Sequence, residues 1–311
     1  GNLKIELEHS NQILVPKKDI EDFIRKGHSY LENDINALSK LKKIKAGEQK
    51  STDAELKLPE SIRKNADLID KYLSSIKICD PAIGSGAFPV GLLHELVNAM
   101  LVLKPHLSYD YLTEKLKGFG FTHRESISDS RYIYRLKRHI IQESIYGVDI
   151  DSSAIDIARL RLWLSLVVDE DDLDPIETLP NLDYKIVAGN SLINFPENWK
   201  SSASDKIEDL KEKFFNETDL DEKKDLKAKI DQAISERMQG SERTFGINIS
   251  FDFRLYFSEV WNEKGGFDIV IGNPPYGADL TTEEKKFFKN EFSDVHMRTP
   301  DTFNYFISKG F

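Results

Sequence analysis

Gly266-Phe267-Asp268-Ile269-Val270-Ile271-Gly272-Asn273-Pro274-Pro275-Tyr276-Gly277 is the stretch that decides the fold. Phe267 to Ile271 is an apolar run of strand type, and it stops at Gly-Asn-Pro-Pro. Two prolines cannot continue a central ladder, and the residue before a proline is pushed to an extended conformation. The run therefore reads as a buried strand that delivers a rigid loop to one end of a sheet. That loop presents the Asn273 amide, the Pro274 carbonyl, a second proline at Pro275 and the Tyr276 ring. Two acceptors beside a flat apolar platform suit an exocyclic amino group on a planar base. A proline-rich strand exit without chemistry is the competing reading, and the surroundings of the motif have to choose between them.

Upstream, Ile76 to Cys79 reads as a short strand running into Asp80-Pro81-Ala82-Ile83-Gly84-Ser85-Gly86 and then a helix to about Met100. Strand, glycine turn and helix form the first unit of a nucleotide-type α/β fold. The turn lacks the Gly-Lys-Ser/Thr ending of a phosphate-cradling P-loop. Asp80, at the carboxyl end of its strand, can accept from a ligand ammonium; a helix-capping Asp is the alternative. Cys79 reads as a small buried hydrophobe. A second strand, Ile145 to Asp151, ends in acids. Asp149 is placed where a carboxylate holds a ribose diol, with Asp151 as a turn or cap residue. A third strand, Tyr184 to Leu192, puts Asn190 and Ser191 at its carboxyl end. Four strand exits with polar residues thus converge on one crevice, the ligand position of open α/β sheets.

The rest of the chain bounds the class. Its 311 residues carry a formal charge of -10, and 40% are hydrophobic, a globular balance. One cysteine permits no internal disulfide and suggests a reducing, cytoplasmic setting. No stretch is expected to approach the roughly 20 apolar residues of a membrane span. The acidic balance argues against a whole-surface nucleic-acid binder but not against a local basic groove.

Residues 1–75 read as a polar helical segment and residues 76–311 as an α/β core with helical insertions at about 101–140 and 200–240. Glu55-Leu56-Lys57 matches the tail of a nuclease-type signature without an acidic partner upstream. Lys117, Arg124, Arg131, Arg135, Lys137 and Arg138 make the most basic stretch, either facing a polyanion or lying on a solvated helix. Asp169 to Asp174 reads as a solvated acidic loop. Asp205 to Arg237, with sparse apolar residues, reads as a helical hairpin standing off the body.

Asp80-Pro-Ala-Ile-Gly-Ser-Gly-Ala-Phe88, Tyr146-Gly-Val-Asp-Ile-Asp151, Ala188-Gly-Asn-Ser-Leu192 and Gly272-Asn-Pro-Pro-Tyr276 stand in the order seen in adenine-N6 DNA methyltransferases. The chain most resembles the methylase portion of single-chain type IIG restriction-modification enzymes, over about Ile76 to Phe311. Asp301 to Phe306 resembles the helix that follows the Asn-Pro-Pro-Tyr loop in that family.

The resemblance implies a Rossmann-like fold, S-adenosylmethionine as methyl donor, and double-stranded DNA with a flipped adenine as acceptor. Asp80, Pro81, Ala82, Gly84 and Gly86 would hold the methionine end, and Asp149 with Ile150 the ribose. Asn190 and Ser191 would meet the cofactor adenine, Asn standing where many members carry Asp. Asn273, Pro274, Pro275 and Tyr276 would handle the target base. The family's recognition domain would lie beyond Phe311, so this chain reads as part of a longer enzyme, its activity alone being open. No metal is called for, and cytosine-C5 chemistry is disfavoured because Cys79 stands in the wrong place. The rivals are an amino-methyltransferase acting on RNA or a protein glutamine, and a non-catalytic cofactor-binding module.

Overall fold

The computed structural model describes residues 2–5, 13–45, 58–121, 128–168, 182–196, 203–217, 219–277, 279–298 and 301–310. Glu55-Leu56-Lys57, Arg124 and the Asp169–Asp174 loop lie outside the described residues. Contacts divide the chain into two units. One holds the described residues of Gly1–Ser75 and Gly91–Ile140, and the other those of Ile76–Val90, Ile141–Val168 and Asp172–Phe311.

In the first unit, two short antiparallel strands, β1 (Asn2–Ile5) and β2 (Ile13–Pro16), precede the helices, where the sequence reading expects helix alone. Helices α1 (Lys17–Lys45), α2 (Glu60–Lys64) and α3 (Ala66–Ser75) follow. Val15, Phe23, Tyr30, Ile62, Val102 and Leu103 share its buried core. Helix α4 (Ala87–Leu103), with the turn after it, makes a 20-residue apolar stretch, contrary to the expectation of none. Leu93, Met100 and Leu103 on it are fully buried, as on a core helix. The basic stretch falls on α5 (Tyr109–Gly118) and α6 (Asp129–Glu143). On α6, Lys137 is buried and Arg131, Arg135 and Arg138 are half-buried, so this helix presents no solvated basic face.

The second unit is built on a parallel sheet of β3 (Ile78–Asp80), β4 (Ile145–Asp149), β5 (Ile186–Ala188) and β6 (Ile269–Val270), ordered β5-β4-β3-β6. The expected α/β class holds: a Rossmann-like sheet with helices between its strands. The order reverses at β3, which pairs with β4 on one side and β6 on the other. Such a switch point opens a crevice at the carboxyl ends of the strands. Helix α7 (Ser152–Val167) packs against β4 and β5 and buries Ile155, Ala158, Leu162 and Leu166. Tyr146 and Val148 point to one face by the strand period of two. There they join Val187, Phe251, Phe257 and Val260, with Phe267 and Trp261 at the margin.

The charged insertion forms α8 (Ala203–Asn216) and α9 (Leu220–Met238), a helical pair as expected. It does not stand off the body. Ile207, Phe214, Ile230 and Ile234 bury against Tyr184 and Leu255. Buried Lys211 on α8 donates to the Tyr256 carbonyl at 2.5 Å and to Glu259 at 2.6 Å. The remaining helices are α10 (Ser241–Phe245), α11 (Phe253–Tyr256), α12 (Ser258–Lys264), α13 (Thr282–Glu291) and α14 (Thr302–Lys309).

Strand β6 also departs from expectation. Ile269 and Val270 are 36% and 47% exposed, so the strand before the Asn-Pro-Pro-Tyr loop is not buried. It forms an edge of the sheet among the described residues, covered by one neighbour only.

Candidate active site

The glycine turn after β3 folds back over β4. Ile83 N–H donates to the Val148 carbonyl at 2.9 Å, and the Ile83 side chain lies over Gly147. A β-carbon on Gly147 would stand 2.3 Å from Ile83 Cδ1, so the small residue admits the turn. Gly84 and Gly86 have φ of 51° and 79°, the left-handed region that favours glycine. A β-carbon on Gly86 would also press on Ala158 at 3.1 Å, which sets the turn close on α7.

Asp80 closes β3 with its side chain 1% exposed. Its Oδ1 accepts from Ala82 N–H at 3.0 Å. Burial pushes the Asp80 carboxyl up to about 7; the Ala82 N–H draws it back and the neighbouring Asp149 charge adds to the rise. A carboxylate so costly to ionise alone is suited to a cationic partner, which would restore the charged form.

Asp149 is fixed by two backbone donors. Oδ2 accepts from Gly84 N–H at 2.8 Å and Oδ1 from Asp151 N–H at 3.0 Å. Each oxygen keeps a lone pair for a further donor such as a hydroxyl. Ile150 follows, 74% exposed, an apolar surface beside the acid.

Beyond β5, Asn190 Oδ1 accepts from Leu192 N–H at 3.0 Å. Its acceptor is engaged locally, so the side chain offers its NH2 donors outward. Ser191 is buried and donates to the Pro81 carbonyl at 2.6 Å, tying the exits of β5 and β3 together. That bond makes Ser191 and Pro81 braces between strand exits. Gly189, tight against Phe251, keeps this corner close to the aromatic core.

The Asn-Pro-Pro-Tyr loop leaves β6 directly beside Asp80. A β-carbon on Gly272 would stand 2.7 Å from Asp80 Oδ1. Asn273, Pro275 and Tyr276 are exposed and Pro274 is buried. The Asn273 amide makes no hydrogen bond among the described residues, and Tyr276 is 68% exposed. The four strand exits named from the sequence therefore lie at one edge of one parallel sheet.

The structure adds residues that the sequence reading did not assign. Thr302 Oγ1 donates to the Pro275 carbonyl at 2.8 Å. Asp301 Oδ1 accepts from Gly277 N–H at 3.3 Å while capping α14 through Phe303 N–H. Phe303 stacks on Tyr276 with ring centroids 5.1 Å apart. The signal available beforehand was an Asp-Thr pair opening an apolar helix. Asp252 is likewise new: its carboxylate accepts from Phe195 N–H and Leu255 N–H, bracing the chain after Ser191.

A cavity of about 1060 Å³ opens nearby, and Pro81 and Ser191 are the only predicted site residues that line it. Its walls are otherwise aromatic and mixed in charge, including Phe253, Trp261, Phe306 and Lys309. The cavity is adjacent to the strand exits and distinct from the Asp80–Asp149 turn.

Comparison with known proteins gives the family of the chain. A protein of Methanocaldococcus jannaschii, named as a type II restriction enzyme and methyltransferase, is 28% identical over 319 aligned positions, covering 76% of this chain and 25% of the relative. A type II restriction enzyme and methyltransferase of Escherichia coli is 26% identical over 252 positions, covering 77% of this chain and 19% of the relative. The chain thus spans a quarter or less of these relatives. The sequence model described as Eco57I restriction-modification methylase matches residues 143–311, more than half of the chain. That match takes in Asp149, Asn190 and the Asn273–Tyr276 loop, three of the four strand exits, and the chain belongs to the Eco57I restriction-modification methylase family.

Proposed function

We propose that this chain carries the methyl-transfer site of a DNA-modifying enzyme, moving a methyl group from S-adenosylmethionine to the N6 amino group of an adenine. The observation that carries the reading is the approach of Gly272 to Asp80. It brings the loop proposed to receive the amino group beside the turn proposed for the donor.

The residues at the turn fit such a donor. Asp80 is a buried carboxylate suited to a cationic amino-acid end, and Asp149 holds spare lone pairs at a neighbouring strand end for ribose hydroxyls. Asn190 would donate its NH2 to ring nitrogens of the cofactor adenine, since its oxygen is engaged by Leu192. Gly84 and Gly86 give the close backbone approach, with Ile150 as an apolar wall. When bound, S-adenosylmethionine supplies an electrophilic methyl on a sulfonium.

At the acceptor, N6 is unreachable inside the duplex stack, so the adenine must be extruded. Tyr276 offers a stacking face, worth roughly 1–3 kcal/mol for one base. Asn273 Oδ1 and the Pro274 carbonyl accept the two N6 protons. This aims the nitrogen lone pair and stabilises the positive charge that grows on N6 as the new N–C bond forms. Pro275 stiffens the loop that carries both acceptors.

The test is parallel incubation of the chain with methyl-labelled S-adenosylmethionine and unmodified DNA, RNA or protein. Label recovered as N6-methyladenine in DNA is the expected result. Label in RNA or on glutamine alone would replace this reading by a rival.

A further inference from the structure

We propose that Asp301, Thr302 and Phe303, at the start of α14, are positioning residues that hold the Tyr276 platform and leave one ring face for the acceptor base. The proposal rests on the reading of the Asn273–Tyr276 loop as an amino-methylation site and adds three residues to it.

The loop itself is poorly anchored. It leaves a two-residue edge strand, and Asn273, Pro275, Tyr276 and Gly277 are all exposed. Three consecutive residues at the start of α14, its N-cap Asp301 and its first two residues, compensate. Thr302 Oγ1 binds the carbonyl of Pro275, just before Tyr276, at 2.8 Å. Asp301 Oδ1 binds the N–H of Gly277, just after it, at 3.3 Å. The peptides on both sides of Tyr276 are thereby tied to one helix end. Between these ties the Phe303 ring lies against Tyr276, centroids 5.1 Å apart and planes 26° from parallel.

The helix is itself fixed. Tyr305 is fully buried and packs against Phe288 and Phe292 of the segment before it. Its hydroxyl lies 2.6 Å from His296 Nδ1. Thr302 is 3% exposed, so its hydroxyl position is set by packing as well as by the bond. The clamp therefore transmits a rigid position to an otherwise weakly held loop.

The stack has a directional consequence. Phe303 covers one face of the Tyr276 ring, and Tyr276 is nevertheless 68% exposed. A planar base can stack on the outer face with the ring held still behind it. Without the backing ring, Tyr276 would have to be ordered by each incoming base, and that ordering costs affinity.

The experiment uses the full chain, methyl-labelled S-adenosylmethionine and unmethylated plasmid DNA, with melting temperature and cofactor affinity measured on every variant. Phe303→Leu keeps apolar bulk but loses the flat face, whereas Phe303→Tyr keeps it. Thr302→Val removes the hydroxyl, whereas Thr302→Ser keeps it. We expect Phe303→Leu and Thr302→Val to raise the KM for DNA about tenfold, within the range for one lost stacking partner. Cofactor affinity should stay at the parental value, and Phe303→Tyr and Thr302→Ser should restore the parental KM. A melting temperature that falls while the KM for DNA stays put in both disruptive variants would reduce the clamp to packing and overturn the proposal. A parental chain that methylates RNA or a protein glutamine in place of adenine would instead sink the underlying reading and the proposal with it.

Discussion

Gly272, two residues beyond β6, and Asp80, at the end of β3, are brought together only in the folded sheet: a methyl group on Gly272 would stand 2.7 Å from the Asp80 carboxylate. Asp80 ends β3 at the switch point of the sheet, and Gly272 begins the Asn-Pro-Pro-Tyr loop after β6. The contact fixes the distance between the proposed donor turn and the acceptor loop. Gly272→Ala should therefore disturb both. Backbone shifts of this kind cost about 1–3 kcal/mol of stability. We expect a lowered melting temperature, weaker cofactor binding by calorimetry and a larger fall in turnover. A variant with parental affinity and turnover would show the contact to be incidental.

Asp80 makes stability and binding respond to pH in opposite senses. Its carboxyl is raised from an ordinary 3.8 to about 7 by burial. Between those values the folded chain holds a proton that the unfolded chain has released, so stability falls as pH rises through this window. A cationic ligand favours the ionised form, so its affinity should rise over the same window and level off above it. Asp80→Asn should flatten the fall in stability and remove most of the binding. Melting curves and calorimetry at about pH 5 and about pH 8 check both limbs. Affinity for S-adenosylmethionine that is independent of pH would place its cationic end elsewhere.

Asp149 carries a different signature. Asp149→Ala would leave Gly84 N–H and Asp151 N–H without their acceptors and remove the proposed ribose contact. Each unpaired donor that stays buried costs about 1–3 kcal/mol. Affinity should fall at least about tenfold, and S-adenosylhomocysteine should be weakened equally because the ribose is common to both ligands. Equal affinity in the variant would move the ribose site.

The docked insertion gives a stability test away from the site. Lys211 is 2% exposed and is held by Glu259 Oε2 at 2.6 Å and the Tyr256 carbonyl at 2.5 Å. Glu259→Ala leaves that ammonium buried without its counter-charge, a loss of about 3–5 kcal/mol. Denaturant unfolding should show this, with cofactor affinity unchanged in the folded protein. A loss below about 1 kcal/mol, the level of a surface pair, would mean that α8 is detached in solution.

The four strand exits were legible because each puts polar residues where an apolar run ends: Asp80 before two glycines, Asp149 after Val148, Asn190-Ser191 after Ala188, and Asn273 before two prolines. What escaped the sequence was neighbourhood. A short apolar run such as Phe267–Ile271 reads alike at the centre or the edge of a sheet, so the exposure of Ile269 and Val270 was invisible. Lys211 lies in the charged run read as a hairpin off the body, and its partner Glu259 stands 48 positions away. Asn190 was read as meeting the cofactor adenine, but nothing in the sequence announced that the Leu192 N–H takes its side-chain oxygen. The Thr302–Pro275 bond joins residues 27 apart, and no periodicity announces it.

Single-turnover methylation of an adenine-containing duplex by the parental chain and Asn273→Ala tests the assignment of the Asn-Pro-Pro-Tyr loop most directly. Asn273 is exposed and its amide bonds to no other described residue, so its removal should leave the melting temperature unchanged. Loss of one preorganised acceptor at the reacting nitrogen predicts a fall of about 10²–10³ in the rate, with cofactor affinity retained. A folded Asn273→Ala chain that methylates adenine at the parental rate would contradict it.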